Sequence, residues 1–211
     1  MTVVNDHFAT IDFDHGEPPE QILADIADVV CACRRCPLCE GRTQAVPGFG
    51  NPHARVMLIG EAPGKNEDQQ GKPFVGAAGK YLTQLLALAG LRREDVYIAN
   101  VLKCRPPSNR NPQADEILTC TPYLRDQVRA IGPDVLVTMG NFSTKFILKT
   151  EQGITALRGQ VVPAGRFKVL PVFHPAAAIY DRSKREVLEN DFRFLGTMLG
   201  LEPIDIETLS K

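Results

Sequence analysis

Short apolar runs alternate with longer segments of helical spacing along most of the chain. Four of the runs are too short for helices and end at glycine, asparagine or histidine, which predicts buried strands at 56–59, 96–99, 135–137 and 168–173. Residues 161–162 are a candidate hairpin partner for the last run. Helical spacing predicts helices over about 19–30, 79–91, 115–131, 141–148 and 185–199. This alternation predicts a three-layer α/β/α fold around a central four-stranded parallel sheet.

Length and composition favour a single domain. The chain has 211 residues, of which 44% are hydrophobic, and this is enough for a sizeable core. We expect a loose N-terminal arm (1–18), one α/β domain (19–200) and a C-terminal tail (201–211). Because no export signal is recognisable and no segment approaches eighteen apolar residues, we expect a cytoplasmic protein without a membrane span.

Polar or small residues follow each predicted strand. These residues are Gly60-Glu61, Asn100, Gly140 and His174. Since the carboxyl ends of parallel strands meet at one edge of a sheet, we expect these residues to face one crevice. The sequence after the first strand, GEAPG, matches neither the dinucleotide-binding fingerprint nor the P-loop, and by itself it is also compatible with an ordinary turn.

Cysteine is the strongest anomaly of the composition. Four cysteines fall within nine residues, at positions 31, 33, 36 and 39, and Cys104 and Cys120 follow further along the chain. Without an export signal, this number of cysteines favours metal or redox chemistry over structural disulfides. Four thiolates suit either a [4Fe–4S] cluster or zinc, and spacing does not separate the two. The first four cysteines could also form a zinc knuckle by themselves and leave the last two as core thiols.

Three motifs together resemble one family. GEAPGKNED with GKPFVG, then NVLKCRPPSNRNP, then HPAAA are similar to the iron–sulfur uracil-DNA glycosylases, family 4 of their superfamily. The likeness runs from about Cys33 to His174 and on through the last helix. It implies an enzyme that flips uracil out of single- or double-stranded DNA and hydrolyses its N-glycosidic bond, which leaves an abasic site for base excision repair. We expect no strand cleavage, because no lysine occupies a clear nucleophile position, and we expect a monomer.

The resemblance assigns three side chains to the flipped base. Phe74 corresponds to the residue that stacks on the uracil ring, and Asn100 to the one that reads its Watson–Crick edge. His174 corresponds to the catalytic donor that stabilises charge on uracil O2. Each residue also has a purely structural interpretation: a core phenylalanine, a turn asparagine and a buried core histidine.

The loop after the first strand supplies the other expected contacts. Gly60 and Gly64 belong to the substrate-binding loop, and Glu61 and Ala62 are expected beside the base and the attacking water. Ala62 stands where the best-studied family carries a catalytic aspartate, so leaving-group stabilisation is expected to carry more of the rate. Glu67 is expected near uracil C5, where it would exclude the methyl group of thymine.

DNA contacts must come from a local patch, because the formal net charge is only −1. Relatives often carry a leucine wedge followed by arginine after the histidine motif, whereas this chain has AAAIY at 176–180. Ile179 or Tyr180 is therefore the expected wedge. The expected phosphate contacts, which could equally be solvated surface charges, are Arg105, Arg182, Lys184 and Arg185.

The resemblance also selects the metal ligands. It implies a structural [4Fe–4S] cluster on Cys33, Cys36, Cys104 and Cys120, while Cys31 and Cys39 are additional to the pattern. Two alternatives remain at this point: a non-catalytic iron–sulfur or zinc protein that binds nucleic acid, and a variant that cross-links covalently to uracil-containing DNA. The second normally needs an inserted basic loop with a histidine, and residues 105–110 contain neither.

Overall fold

The computed structural model describes residues 16–205. Most of the predicted arm (1–15) and the end of the predicted tail (206–211) lie outside the described residues. The helices are α1 (Pro19–Ala32), α2 (Leu38–Gly41), α3 (Lys65–Gln70), α4 (Ala77–Leu88), α5 (Ala114–Ile131), α6 (Asn141–Leu148), α7 (Ile154–Leu157), α8 (Pro175–Tyr180) and α9 (Arg182–Leu199). The strands are β1 (Phe49–Gly50), β2 (Val56–Gly60), β3 (Tyr97–Asn100), β4 (Val135–Met139), β5 (Val162–Ala164) and β6 (Phe167–Val172).

The sheet has the strand order β1-β3-β2-β4-β6-β5. Its four central strands are parallel, as predicted, and β1 and β5 pair antiparallel at the two edges. The prediction of four strands was therefore correct for the parallel centre but two strands short for the whole sheet. The two-residue β1 carries no apolar run that could have revealed it, whereas β5 forms the hairpin predicted with β6.

Two apolar layers sandwich the sheet, which confirms the three-layer α/β/α architecture. On one face α1 and α5 pack against the sheet with Met57 and Ile59 of β2. On the other face α4 and α9 pack with Val56 and Leu58 of the same strand. Because successive residues of a strand point to opposite faces, a strand buried on both faces must be apolar throughout.

Local signals set the ends of the helices that flank the site. In α5, Gln113 and Glu116 form a capping box, and Gly132 ends the helix with φ 60°. In α9, the side chain of Asp181 accepts a hydrogen bond from the Ser183 main-chain N–H at 3.0 Å. This cap starts α9 at Arg182, three residues earlier than predicted, so Arg182, Lys184 and Arg185 lie at the start of this helix. No helix within residues 16–205 is long and apolar enough to cross a membrane.

Candidate active site

The ends of the parallel strands meet at one edge of the sheet, as predicted. Gly60 and Asn100 are directly paired in the register of β2 and β3. A Cβ atom on Gly140 would lie 3.2 Å from Cβ of His174, so the ends of β4 and β6 are also close together. A cavity of about 350 Å³ opens at this edge and is lined by Glu61, Ala62, Pro63, Gly64, Glu67, Phe74, Ala78, Asn100, Pro106, Asn109, Arg110, His174 and Ala176.

Phe74 is held in an unusual conformation at the wall of the cavity. Its backbone φ is +52°, a value that L residues adopt only at a cost in energy. One Glu67 carboxylate oxygen, Oε1, accepts hydrogen bonds from the main-chain N–H groups of Val75 and Gly76, both at 2.9 Å. Gly79 gives the loop room, since a Cβ there would lie 1.8 Å from the Phe74 carbonyl oxygen. Several specific interactions therefore fix the position of this aromatic ring.

Asn100 presents an open acceptor to this space. The residue is 2% exposed, and its Oδ1 atom is buried and accepts no hydrogen bond from residues 16–205. Burial of an unpartnered amide oxygen is costly, which points to a ligand that supplies the missing donor. Gly60 keeps the approach open, because a Cβ there would lie 2.3 Å from this Oδ1.

His174 is fixed as a neutral hydrogen-bond donor. It caps α8, and its Nδ1 accepts a hydrogen bond from the Ala176 main-chain N–H at 3.1 Å. Burial lowers the pKa of the imidazole from 6.5 to about 4, against the opposing effect of the Glu67 charge. Because Nδ1 is an acceptor in a neutral ring, the proton lies on Nε2, which can donate it as a hydrogen bond.

The two acidic residues that line the cavity, Glu61 and Glu67, lie in different environments. Burial raises the pKa of the Glu61 carboxyl. Glu67 is engaged with the Phe74 loop, and the neighbouring Asp68 accepts a hydrogen bond from the Thr43 main-chain N–H at 3.0 Å. Asp68 therefore braces the loop. Ala62 lines the cavity and brings no acid to it.

Two residues that line the cavity were not predicted from the sequence. Asn109 and Arg110 line it from the loop before α5, where Ser108 and Asn109 both have positive φ. Arg110 donates two hydrogen bonds to the carboxylate of Glu116, at 2.9 and 2.5 Å. The polar residues within PPSNRNP could have indicated that this loop contributes to a site. Which of their side chains face the cavity, however, depends on the left-handed turn.

Comparison with known proteins identifies the architecture around this cavity. The family model of the Uracil DNA glycosylase superfamily matches residues 47–195. The chain belongs to this superfamily. Among similar proteins is the type-4 uracil-DNA glycosylase of Saccharolobus solfataricus, which is 47% identical over 86% of this chain and 88% of its own length. The type-4 enzyme of Archaeoglobus fulgidus is 46% identical over 84% of this chain and 94% of its own length. That of Thermotoga maritima is 43% identical over 81% of this chain and 92% of its own length. The chain is therefore a member of the type-4 family.

None of the basic residues expected to contact DNA lines this cavity. Lys184 pairs with Asp181 at 3.0 Å, and Arg185 pairs with Glu189 at 3.1 Å. Arg182 begins α9 and is exposed. Ile179 is 43% exposed on α8, which follows His174 directly, whereas the side chain of Tyr180 lies outside the described structure.

Arg105 is placed differently from the other expected DNA contacts. Its Nε donates a hydrogen bond to Oδ1 of Asn109 at 2.8 Å, so it reaches the cavity through a residue that lines it. This contact orders the loop before α5.

Five of the six cysteines surround a second, much smaller cavity. It measures about 10 Å³ and is lined by Cys33, Cys36, Cys39, Cys104 and Cys120, with no disulfide among them. Cys31 lies outside it, in an adjoining exposed groove. As the side chains stand, no group of three or more His, Cys, Asp or Glu within residues 16–205 has the geometry to hold a metal ion.

The chemistry of these thiols fits a metal cluster. Burial and neighbouring thiols raise the pKa of Cys36 and of Cys104, and burial raises that of Cys120 to about 12. Thiols packed this closely are stabilised as thiolates by a bound cation. Arg42 donates a hydrogen bond to Sγ of Cys104 at 3.1 Å, which suits a negatively charged sulfur.

Proposed function

We propose that this protein is a monofunctional DNA glycosylase that removes uracil from DNA by hydrolysing its N-glycosidic bond. The observation that carries the proposal is the buried, unpartnered Oδ1 of Asn100 in the same cavity as the neutral ring of His174. The relatives named uracil-DNA glycosylases support it. The product is an abasic site, the first intermediate of base excision repair.

Base recognition uses the ring of Phe74 and the amide of Asn100. Phe74 forms the floor on which a flipped base stacks. The open Oδ1 of Asn100 accepts the N3–H of uracil, and the amide nitrogen donates to O4. Cytosine presents an acceptor at N3 and a donor at C4, so the same amide opposes it.

Bond cleavage depends on His174. As the bond to the sugar breaks, negative charge develops on the departing uracil, and the Nε2–H of His174 donates a hydrogen bond to O2. One such donor in a desolvated site contributes roughly 3 kcal/mol to the stability of the transition state. A neutral ring fits this role, because it donates without transferring its proton.

The loop from Gly60 to Glu67 completes the pocket. Gly60 and Gly64 admit the base edge-on, and the Glu67 carboxylate lies beside C5, where it would meet the methyl group of thymine. A Cβ on Gly64 would lie 2.8 Å from Oε2 of Glu67, so this oxygen is close to the loop on the cavity side. Glu61 and the main chain at Ala62 contact the attacking water, while the absence of an acid at Ala62 leaves leaving-group stabilisation as the larger effect.

We further propose that Cys33, Cys36, Cys104 and Cys120 hold a [4Fe–4S] cluster. When bound, the cluster supplies a structural cross-link rather than redox chemistry, since base hydrolysis exchanges no electrons. It ties α1 and the segment after it to the loop beside Asn100 and to α5. The grouping of these thiols around one small cavity and the hydrogen bond from Arg42 to Sγ of Cys104 support this assignment.

Uracil-containing DNA, single- or double-stranded, crosses the cavity edge. Ile179 or Tyr180 fills the space left by the flipped base, and phosphates are bound by Arg105, Arg182, Lys184 and Arg185.

Residues 19–200 form the glycosylase domain, flanked by the arm (1–18) and the tail (201–211). The protein acts as a monomer in the cytoplasm, where its unpaired cysteines remain reduced. A non-catalytic protein is not favoured, because it needs no leaving-group donor like His174. A cross-linking protein is not favoured, because residues 105–110 contain neither an inserted basic loop nor a histidine.

An excision assay tests this proposal. Wild type, His174→Ala and His53→Ala are incubated with oligonucleotides that carry one uracil, and alkali reveals abasic sites. His53 is the matched control, since it pairs with Glu20 and does not line the cavity. We expect cleavage by wild type and the control and at least a hundredfold slower cleavage by His174→Ala. Binding without abasic product, or a heat-stable DNA adduct on a gel run without alkali, would overturn the proposal.

A further inference from the structure

One buried cation connects the cysteine cavity with the strand that carries Asn100. Lys103 is 1% exposed and is among the largest fully buried side chains of the described residues. Its ammonium donates a hydrogen bond to the main-chain oxygen of Asn100 at 3.0 Å and another to Oε1 of Gln127 at 2.6 Å. Gln127 in turn donates to the carbonyl of Pro47 at 2.7 Å. The cation is thus fixed on two sides.

The main chain of the same residue contacts the cysteine cavity. The N–H of Lys103 donates a hydrogen bond to Sγ of Cys120 at 3.2 Å, and Cys104 follows it in sequence. Two of the four proposed cluster ligands are therefore bonded to Lys103, one covalently and one by a hydrogen bond. A displacement of either sulfur shifts the backbone that places the ammonium.

The direction of the Asn100 side chain depends on its main chain. Its Oδ1 accepts no hydrogen bond from the described residues, so no protein donor fixes that end of the amide. The carbonyl that Lys103 holds belongs to Asn100 itself, at the last position of β3. Burial of an ammonium is costly, and an apolar side chain of similar length would fill the same space without that cost.

We propose that Lys103 is a positioning residue that transmits the order of the cysteine centre to Asn100 and so to recognition of uracil. This inference rests on the proposed function. It assigns the cluster a specific role: the sulfurs at Cys104 and Cys120 fix the Lys103 backbone, and the ammonium fixes the strand end. Lys103 is expected to touch neither the base nor the sugar, because it does not line the 350 Å³ cavity.

Arg42 provides a matched control. It is a second cation next to the cysteines, donating to Sγ of Cys104 at 3.1 Å and to the carbonyl of Cys31 at 2.7 Å. Neither of these hydrogen bonds reaches Asn100, and Arg42 does not line the 350 Å³ cavity. Loss of Arg42 therefore removes a positive charge beside the cluster without cutting the connection to Asn100.

The test compares purified, iron-loaded wild type, Lys103→Met and Arg42→Leu. For each, iron per chain and visible absorbance report the cluster, and an NMR titration gives the dissociation constant of free uracil. Lys103→Met keeps the length of the side chain and removes the ammonium. We expect it to retain the cluster and to bind uracil about tenfold more weakly, the effect of one lost hydrogen bond to a charged group. Arg42→Leu is expected to bind uracil like wild type.

Two results would overturn the inference: unchanged uracil affinity in cluster-loaded Lys103→Met, or an equal loss of affinity in Arg42→Leu. If Lys103→Met does not fold, Gln127→Leu, which frees the other side of the ammonium, must weaken uracil binding in the same direction, and an unchanged affinity overturns the inference. Uracil binding is measured without excision. A wild type that binds uracil in a Lys103-dependent manner but leaves no abasic site would overturn the proposed function and keep the inference.

Discussion

The ring of Phe74 stacks on the ring of His174, with centroids 5.6 Å apart and planes inclined by 29°. Phe74 comes from the loop between α3 and α4, and His174 from the end of β6. The stacking floor and the leaving-group donor are therefore positioned against each other and not independently. Any change that tilts Phe74 is expected to move the donor as well.

Phe74→Ala should reduce excision, because it removes the ring on which the flipped base stacks. We expect a rate at least tenfold lower under single-turnover conditions, because a base–aromatic stack is worth about 1–3 kcal/mol. Phe49→Ala is the control, since Phe49 is 53% exposed and does not line the cavity. Equal rates for wild type and Phe74→Ala would contradict the role of the ring.

Gly60→Ala should block the base without unfolding the protein. The new methyl group would lie 2.3 Å from Oδ1 of Asn100 and 3.0 Å from the Phe74 ring. We expect at least a tenfold weaker affinity for free uracil. Gly153→Ala is the matched variant, because its nearest neighbour would be 3.8 Å away. Circular dichroism should show both variants folded, and normal uracil binding by Gly60→Ala would refute the geometry.

The titration of His174 should make the fold less stable in acid. Its pKa is lowered from 6.5 to about 4 in the folded state, so the unfolded chain binds more protons between these values. The free energy of unfolding should therefore fall as the pH drops from about 6.5 to about 4. Urea denaturation across this range should show a smaller decrease for His174→Asn, which does not titrate. An identical pH dependence in both proteins would contradict the neutral ring.

Cysteine variants should separate ligands from bystanders. We expect Cys33→Ala, Cys36→Ala, Cys104→Ala and Cys120→Ala each to lower bound iron and the midpoint of thermal unfolding. Cys31→Ala should retain the iron, since Cys31 lies outside the small cavity. Cys39→Ala is also expected to retain the iron. Loss of iron from Cys39→Ala would show that Cys39 is a ligand in place of one of the four proposed cysteines.

The fold could be predicted well where burial alone determines the sequence. The four parallel strands are buried on both faces and must be apolar, so each was visible as a short run. Helices of four to six residues, such as α2, α3, α7 and α8, are too short for a recognisable period. Only the Asp181 cap, which the helical period does not show, places the start of α9.

The site could be predicted only as far as strand order determines it. The rule that parallel strands end at one edge brought Asn100 and His174 together correctly. It gave no information on Glu67, whose hydrogen bonds to the Phe74 loop depend on side-chain geometry. It also missed Asn109, which faces the cavity because of a left-handed turn that its sequence does not require.

Base selectivity tests the central claim most directly. Three oligonucleotides that differ only by uracil, cytosine or thymine at one position are incubated with wild type and with Asn100→Leu, and alkali-labile sites are counted. The Asn100 amide opposes cytosine, and the Glu67 carboxylate meets the methyl group of thymine, so we predict abasic sites at uracil alone with wild type. Asn100→Leu is expected to lose at least tenfold in activity at uracil. Equal cleavage at uracil and cytosine by wild type, or full activity of Asn100→Leu, would contradict the account.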